Sequence, residues 1–313
     1  MKNHKLLDQF RCFYFRNYPE DMETQIAYFS VFGGLDCFID TTTDINTLIH
    51  SVVLKNFTQL NDIINQLTLK NSATKKLLRA LATGDRRIFK AFNKSGLNNG
   101  NGGAILHYLQ EKGIIQVEYS REEHPRDKYP KTKLKREEAR HRISHKVLFT
   151  HPFLRFWFYF IVPHAKEIQE GNYEAMLKDF ASKHNSYTSM VYEELSEVLL
   201  NYNLRDVHIQ SSGSYWDANI EIDILTITHN QKIYVGECKW TNHKINKKEL
   251  HKLKDKCRKL AIEPTQLLFF SKRGFSKELL QLQGKDLALY SSEDFKDLVK
   301  ETSREAYEEN FIN

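Results

Sequence analysis

Apolar and polar positions change period along this chain, and the changes mark its elements. Over Glu221 to Trp240 the sequence reads EIDILTITHNQKIYVGECKW, with Ile222, Ile224 and Ile227 in one run and Ile233, Tyr234 and Val235 in the next. His229, Asn230 and Gln231 between them are turn formers, so two strands joined by a short polar turn are predicted. From Tyr187 to Tyr202 the period is helical, with Val191, Leu195, Val198, Leu199 and Tyr202 on one stripe. Lys247 to Leu260 repeats that pattern through Leu250, Leu253, Cys257 and Leu260. Gln266 to Ser271 (QLLFFS) predicts a buried strand and Leu287 to Tyr290 a last one, before a helix from Ser292 to about Lys300. Helix, three strands, helix, strand is the resulting order.

Upstream the signals are helical. Lys75 to Ala82 and Arg87 to Asn93 predict two short helices, and Asn101 is read as the cap of a third from Gly102 to Lys112. A strand over Ile114 to Tyr119 and a hairpin closing at Val147-Leu148-Phe149 complete a winged-helix pattern. The glycine-rich stretch Gly96 to Gly103 is read as a turn. His151 to Pro163 is aromatic on most faces and predicts a buried helix in which Arg155 pairs with an acid. Residues 1–70 hold a predicted helix from Lys5 to Arg16 and a helix or strand from Glu23 to Phe32, ended by Gly33-Gly34. A helix capped by Asp44 and a further apolar pattern to Leu69 follow. The expected fold class is α/β, α+β overall. A helical region spans 1–70, a winged helix 71–150, an aromatic linker helix 151–180 and an αβββαβ domain 181–313.

Composition narrows the partners. A hydrophobic fraction of 41% supports a sizeable core, and the net charge of +6 leans toward polyanions. That charge is clustered. Residues 121–146 hold ten Lys/Arg against five Asp/Glu, and 241–260 hold eight against two. Clustering of this kind points to a nucleic-acid face. Lys131, Lys133, Lys135 and Arg136 in the wing, and Lys247, Lys248, Lys252 and Lys256 on the later helix, are the candidate phosphate contacts. No run is long enough for a membrane span. Cys12, Cys37, Cys238 and Cys257 lack zinc spacing and suit a reducing, cytoplasmic setting. The chain has no G-x-x-x-x-G-K-[ST] sequence, so no ATP site is expected in it.

The candidate chemistry lies at the strand ends. In a strand Glu237 and Lys239 project together, with Cys238 turned away. A hairpin brings Asp223 to the same face. Two carboxylates and a lysine then converge, a set suited to a hard cation such as Mg²⁺ or Mn²⁺ and a phosphodiester. A surface hairpin ending in E-x-K for solubility is the plainer alternative.

Asp223 with Glu237-Cys238-Lys239 resembles the core of PD-(D/E)XK nucleases. Trp216, Glu221-Ile222-Asp223-Ile224 and Gly236-Glu237-Cys238-Lys239-Trp240 further resemble an uncharacterised domain usually fused C-terminally to archaeal-type AAA ATPases. The block His151-Pro152-Phe153-Leu154-Arg155-Phe156-Trp157-Phe158, with Pro163 and Gly171 after it, agrees with that resemblance. The resemblance covers roughly 71–300 and implies a restriction-endonuclease-like fold with Asp223, Glu237 and Lys239 as catalytic residues. It also implies a further metal-ligating glutamate on the first core helix, which Tyr187-x-Ser189-x-Val191-Tyr192-Glu193 assigns to Glu193. Ser189 stands where a glycine is usual, and helical phase turns Glu193 away from the apolar stripe while Glu194 flanks it. Two readings follow: a Mg²⁺-dependent DNA endonuclease, or a non-catalytic DNA-binding or assembly protein on an inactive nuclease fold. A homo-oligomer, and a separate partner in place of the fused ATPase, stay open.

Overall fold

The computed structural model describes residues 4–123 and 142–300. The candidate contacts Lys131, Lys133, Lys135 and Arg136 lie outside the described residues. The protein is α+β. Its N-terminal part is helical: α1 (His4–Asn17), α2 (Met22–Phe32), α3 (Ile45–Leu48) running on into a π-helical segment (Ile49–Leu54), and α4 (Phe57–Leu67). Asp21 and Asp44 cap α2 and α3 by accepting backbone N–H bonds. The segment expected as helix or strand over Glu23 to Phe32 is thus a helix.

Next come α5 (Ser72–Thr83), α6 (Ile88–Ser95) and α7 (Asn99–Glu111), followed by the antiparallel pair β1 (Ile115–Glu118) and β2 (Lys146–Phe149). The glycine-rich stretch corrects the sequence reading. Gly96, at φ +71°, ends α6 in the left-handed conformation. Asn98, not Asn101, caps α7 by accepting the Asn101 N–H at 2.8 Å. Gly100, Gly102 and Gly103 therefore lie inside a helix. Gly102 has a packing reason, since a Cβ there would stand 2.5 Å from the Phe92 ring.

The aromatic segment begins as α8 (Pro152–Phe156) and widens into a π-helical turn (Trp157–Ile161). It then tightens to a 3₁₀ turn (Val162–His164), where Pro163 has no N–H for an α-helical bond. After α9 (Ala165–Gln169), the helix expected over Tyr187 to Tyr202 proves to be the second half of the 30-residue α10 (Glu174–Asn203).

Beyond α10, β3 (Ile209–Ser211), β6 (Ile224–Thr228), β7 (Ile233–Lys239), β8 (Gln266–Ser271) and β9 (Leu287–Ser291) form one sheet in that order. The first two pairings are antiparallel and the last two parallel. A small hairpin, β4 (Tyr215–Trp216) and β5 (Glu221–Ile222), leads into β6. Between β7 and β8 runs α11 (Lys247–Lys259). Alternation along β8 splits the core. Leu268 and Phe270 face α10, whereas Leu267 and Phe269 share a second cluster with Leu250, Leu253 and Cys257 of α11. The larger cluster draws on residues from Phe10 to Val299, hence on every expected segment.

His151, between β2 and α8, is packed against Gly34, and burial and then Lys5 lower its pKa to about 4. A histidine so depressed destabilises the fold once the unfolded chain protonates near its ordinary value and the native ring cannot. Stability should therefore rise from pH 4 to 6.5 more steeply in the wild type than in His151→Gln. Urea unfolding across that range measures the difference, and equal slopes would contradict it.

Candidate functional site

The site is built at the C-terminal end of β7, the central strand of the sheet. Period two sends Val235, Glu237 and Lys239 to the face covered by α11, and Gly236 and Cys238 to the α10 face. Ile224 pairs with Gly236, and Asp223 is the bend between β5 and β6 just before that pair. Asp223 Oδ2 accepts the Cys238 N–H at 2.8 Å, and Lys239 Nζ donates to Glu237 Oε1 at 2.5 Å. Asp223, Glu237 and Lys239 thus lie near one another at the C-terminal end of β7.

Glu193 corrects the helical-phase argument. Both it and Glu194 are largely shielded from solvent, because α10 is covered on the side away from its apolar stripe as well. That cover is the turn between α5 and α6, where Arg86 Nη1 donates to Glu194 Oε1 at 3.0 Å. Burial holds the Glu193 carboxyl above its ordinary value, with Arg86 opposing and Glu221 adding to the rise. Asp223 is held well above the ordinary range by burial, then by the negative charges of Glu193 and Glu237. Glu194 is pushed up to about 7 by burial, against the pull of Arg86 and Arg155. Glu237 lies below its ordinary value, since Lys239 and Lys256 together outweigh its burial. Arg155, expected to pair with an acid, instead lies over the Tyr187 ring, 4.6 Å from its centroid, and donates to Met190 Sδ.

Composition places Lys256 among the phosphate contacts. In the fold it reaches across from α11 and donates to Glu237 Oε2 at 2.6 Å. Its position three residues after the buried Leu253 is the sequence signal for this, since it flanks the apolar seam. Lys252 pairs with Glu249 at 2.7 Å, and Lys247 and Lys248 are exposed.

Sequence reasoning missed the cations that come from the β1–β2 module. Lys146 is 1% exposed, binds Glu221 and lies 4.3 Å from the centroid of the Trp216 ring. Arg121 donates to the carbonyls of Gly213, Ser214 and Leu225 at 2.7–2.9 Å. Glu118 accepts from both the N–H and the hydroxyl of Ser214. Charge clustering assigns Arg121 and Lys146 to a basic wing surface; both are instead committed to the segment that carries Asp223. A cleft of about 860 Å³ opens beside this contact, lined by Glu118, Arg121, Glu197, Tyr202 and His208, but not by Asp223, Glu237 or Lys239.

The carboxylates are hard oxygen donors of the kind Mg²⁺ or Mn²⁺ takes. Their arrangement does not hold such an ion as it stands: both Glu237 oxygens are bound by ammonium groups, and among the described residues no three His, Cys, Asp or Glu side chains form a ligating group.

Fold and site thus define an α+β protein with a buried carboxylate–lysine cluster at the end of a mixed sheet. Residues 157–253 match the family model DUF234, described as archaeal and bacterial proteins of unknown function. No curated protein sequence matches the chain. Among solved structures it is similar to protein VC1899 from Vibrio cholerae, at 16% identity and a TM-score of 0.30, over 79% of this chain and 54% of that one. The chain therefore spans about half the length of that protein. No helix of the described residues is long and apolar enough to cross a membrane.

Proposed function

We propose that this protein is a divalent-cation-dependent deoxyribonuclease of the PD-(D/E)XK kind. The observation that carries the reading is the gathering of Asp223, Glu237 and Lys239 at the end of β7, with Glu193 close enough to Asp223 to raise its pKa. Structural proteins rarely gather carboxylates where burial and mutual repulsion disfavour their ionised forms, and such clusters mark functional sites. A bound cation would supply charge neutralisation and a more acidic water. In this reading Asp223, Glu237 and Glu193 provide the negative field that attracts it. Lys239, whose ammonium is held charged by Glu237, faces the phosphate oxygens. The test is cleavage of duplex, single-stranded and branched DNA with Mg²⁺ or Mn²⁺, and its loss in EDTA.

The second reading, a DNA-binding or assembly protein that does not cut, is favoured by the double lysine hold on Glu237. Both readings need a basic surface, and the exposed Lys247, Lys248 and Lys252 on α11 offer one. Replacing these three with Glu should weaken duplex binding and reduce the salt slope of log affinity by roughly 1 for each phosphate that is no longer neutralised. A titration between low and moderate salt reads both quantities. Unchanged affinity and slope would remove α11 from the DNA surface.

A further inference from the structure

The cleft of about 860 Å³ is framed by two strand edges. Residues 207–214 all line it. Side chains of a strand alternate between faces, so an unbroken run of this kind presents the edge of β3 and not one of its faces. β3 ends the sheet, and its other edge pairs with β6. Across the cleft, 118–121 continue β1, whose far edge pairs with β2. Val198 and Tyr202 of α10, with Leu7 of α1, supply an apolar floor. The two ends differ in charge. At one end Glu118 and Arg121 are engaged with the backbone of 213–214, and Glu197 stands beside Gly213. Toward the other end the guanidinium groups of Arg205 and Arg11 lie 4.5 Å and 6.0 Å from the centroid of the Tyr202 ring, and His208 adds a third basic group. Arg11 Nε also donates to the Leu298 carbonyl at 2.6 Å, so the described chain leaves at Lys300 close to this basic end.

The segment that follows, 301–313 (ETSREAYEENFIN), lies outside the described residues. It carries Glu301, Glu305, Glu308 and Glu309 against Arg304 alone, with Tyr307, Phe311 and Ile312 as its apolar positions. We propose that 301–313 docks in the cleft of its own chain, as an added strand along the free edge of β3. A strand's period of two puts Tyr307 and Phe311 on one face, which suits the apolar floor. The glutamates complement Arg11, Arg205 and His208. The reach suffices: the segment spans roughly 45 Å fully extended, and the wall formed by 207–214 about 27 Å. Backbone bonds to a sheet edge supply affinity, and alternate side chains supply specificity. Attachment at Lys300 gives this segment an effective concentration on the order of millimolar, which favours it over the same segment of a second copy. Docked, it covers an edge of the kind that otherwise recruits another chain.

Photo-crosslinking in the full chain tests the docking. Phe311→p-benzoylphenylalanine, irradiated in dilute solution, should give adducts within one chain that map by mass spectrometry to 118–121 or 197–214. Adding Arg205→Glu at its exposed position should lower their yield severalfold, because a like charge then faces the glutamates. A second variant, with Glu305, Glu308 and Glu309 replaced by Lys, leaves the cleft untouched and should lower the yield likewise. Lys277→Glu, at an exposed position beyond β8, serves as the control and should leave the yield unchanged. Adducts that join two chains would put a second copy in the cleft and overturn docking within one chain. Adducts confined to other parts of the fold, or no adducts, would overturn the docking altogether. A yield indifferent to both Arg205→Glu and the glutamate substitutions would overturn the charge match on which the choice of occupant rests. None of these readouts involves DNA or a metal, so the nuclease reading stands or falls separately.

Discussion

Asp223→Asn should lose at least about a hundredfold in DNA cleavage rate while the folded protein becomes more stable. The loss is that expected when one electrostatic stabiliser of a transition state is removed. The gain in stability follows from the same carboxylate. Burial, Glu193 and Glu237 all raise its pKa, so the ionised form is held in the fold at a cost at neutral pH. A neutral amide removes that cost and keeps an oxygen to accept the Cys238 N–H. Removing such active-site strain gains roughly 0.5–2 kcal/mol in comparable cases. Lys239→Ala should lose activity to a similar extent without the gain, because it strips a partner from Glu237. Single-turnover cleavage and urea unfolding of the two variants check both halves. A wild type that cuts no DNA with either metal would remove the nuclease proposal; a destabilised Asp223→Asn would show that the aspartate is a structural residue.

The second large effect is on stability and lies outside the strand site. Arg86→Met leaves Glu194 desolvated without its partner, and breaking a buried pair from one side costs about 3–5 kcal/mol. Glu194→Met together with Arg86→Met should recover most of it, because no unpaired charge then remains. A loss under about 1 kcal/mol in the single variant would mean that the carboxyl is accommodated in its neutral form. Its elevated pKa, about 7, makes the outcome depend on pH. A carboxyl raised in the folded state contributes less stability as pH climbs from its ordinary value through 7, so the cost of Arg86→Met should be smaller at pH 5 than at pH 8.

These pairs also explain how β2 and the α5–α6 turn are attached to the rest of the fold. Lys146 reaches Glu221, two residues before Asp223, and Arg86 reaches Glu194, next to Glu193. The segment leading into Asp223 and the helix bearing Glu193 are thus tied to β2 and to the α5–α6 turn, which the Val147 N–H joins by donating to the Arg86 carbonyl at 3.0 Å. The DUF234 match, which begins at Trp157, covers the sheet site and not these cations.

Strand periodicity alone places Glu237 and Lys239 on one face, because a two-residue repeat leaves no choice once the strand exists. The polar turn over 229–231 sets the hairpin and its register from Ile224 opposite Gly236 to Ile227 opposite Ile233, which brings Asp223 to the end of β7. The apolar seam of α11 is readable for the same reason, since helical phase is a local property. What covers the far side of α10 is not local. Glu193 reads as turned away from the apolar stripe, which Glu194 flanks, because a helix repeat reports only its own stripe; the α5–α6 turn that pairs with Glu194 comes from 108 residues away. Lys146 reads as a wing charge, and Lys256 as a phosphate contact, because composition counts charges without their partners. Only the tertiary structure decides where each is desolvated. Burial makes an unpaired charge so costly that these lysines settle on the carboxylates within reach rather than on solvent.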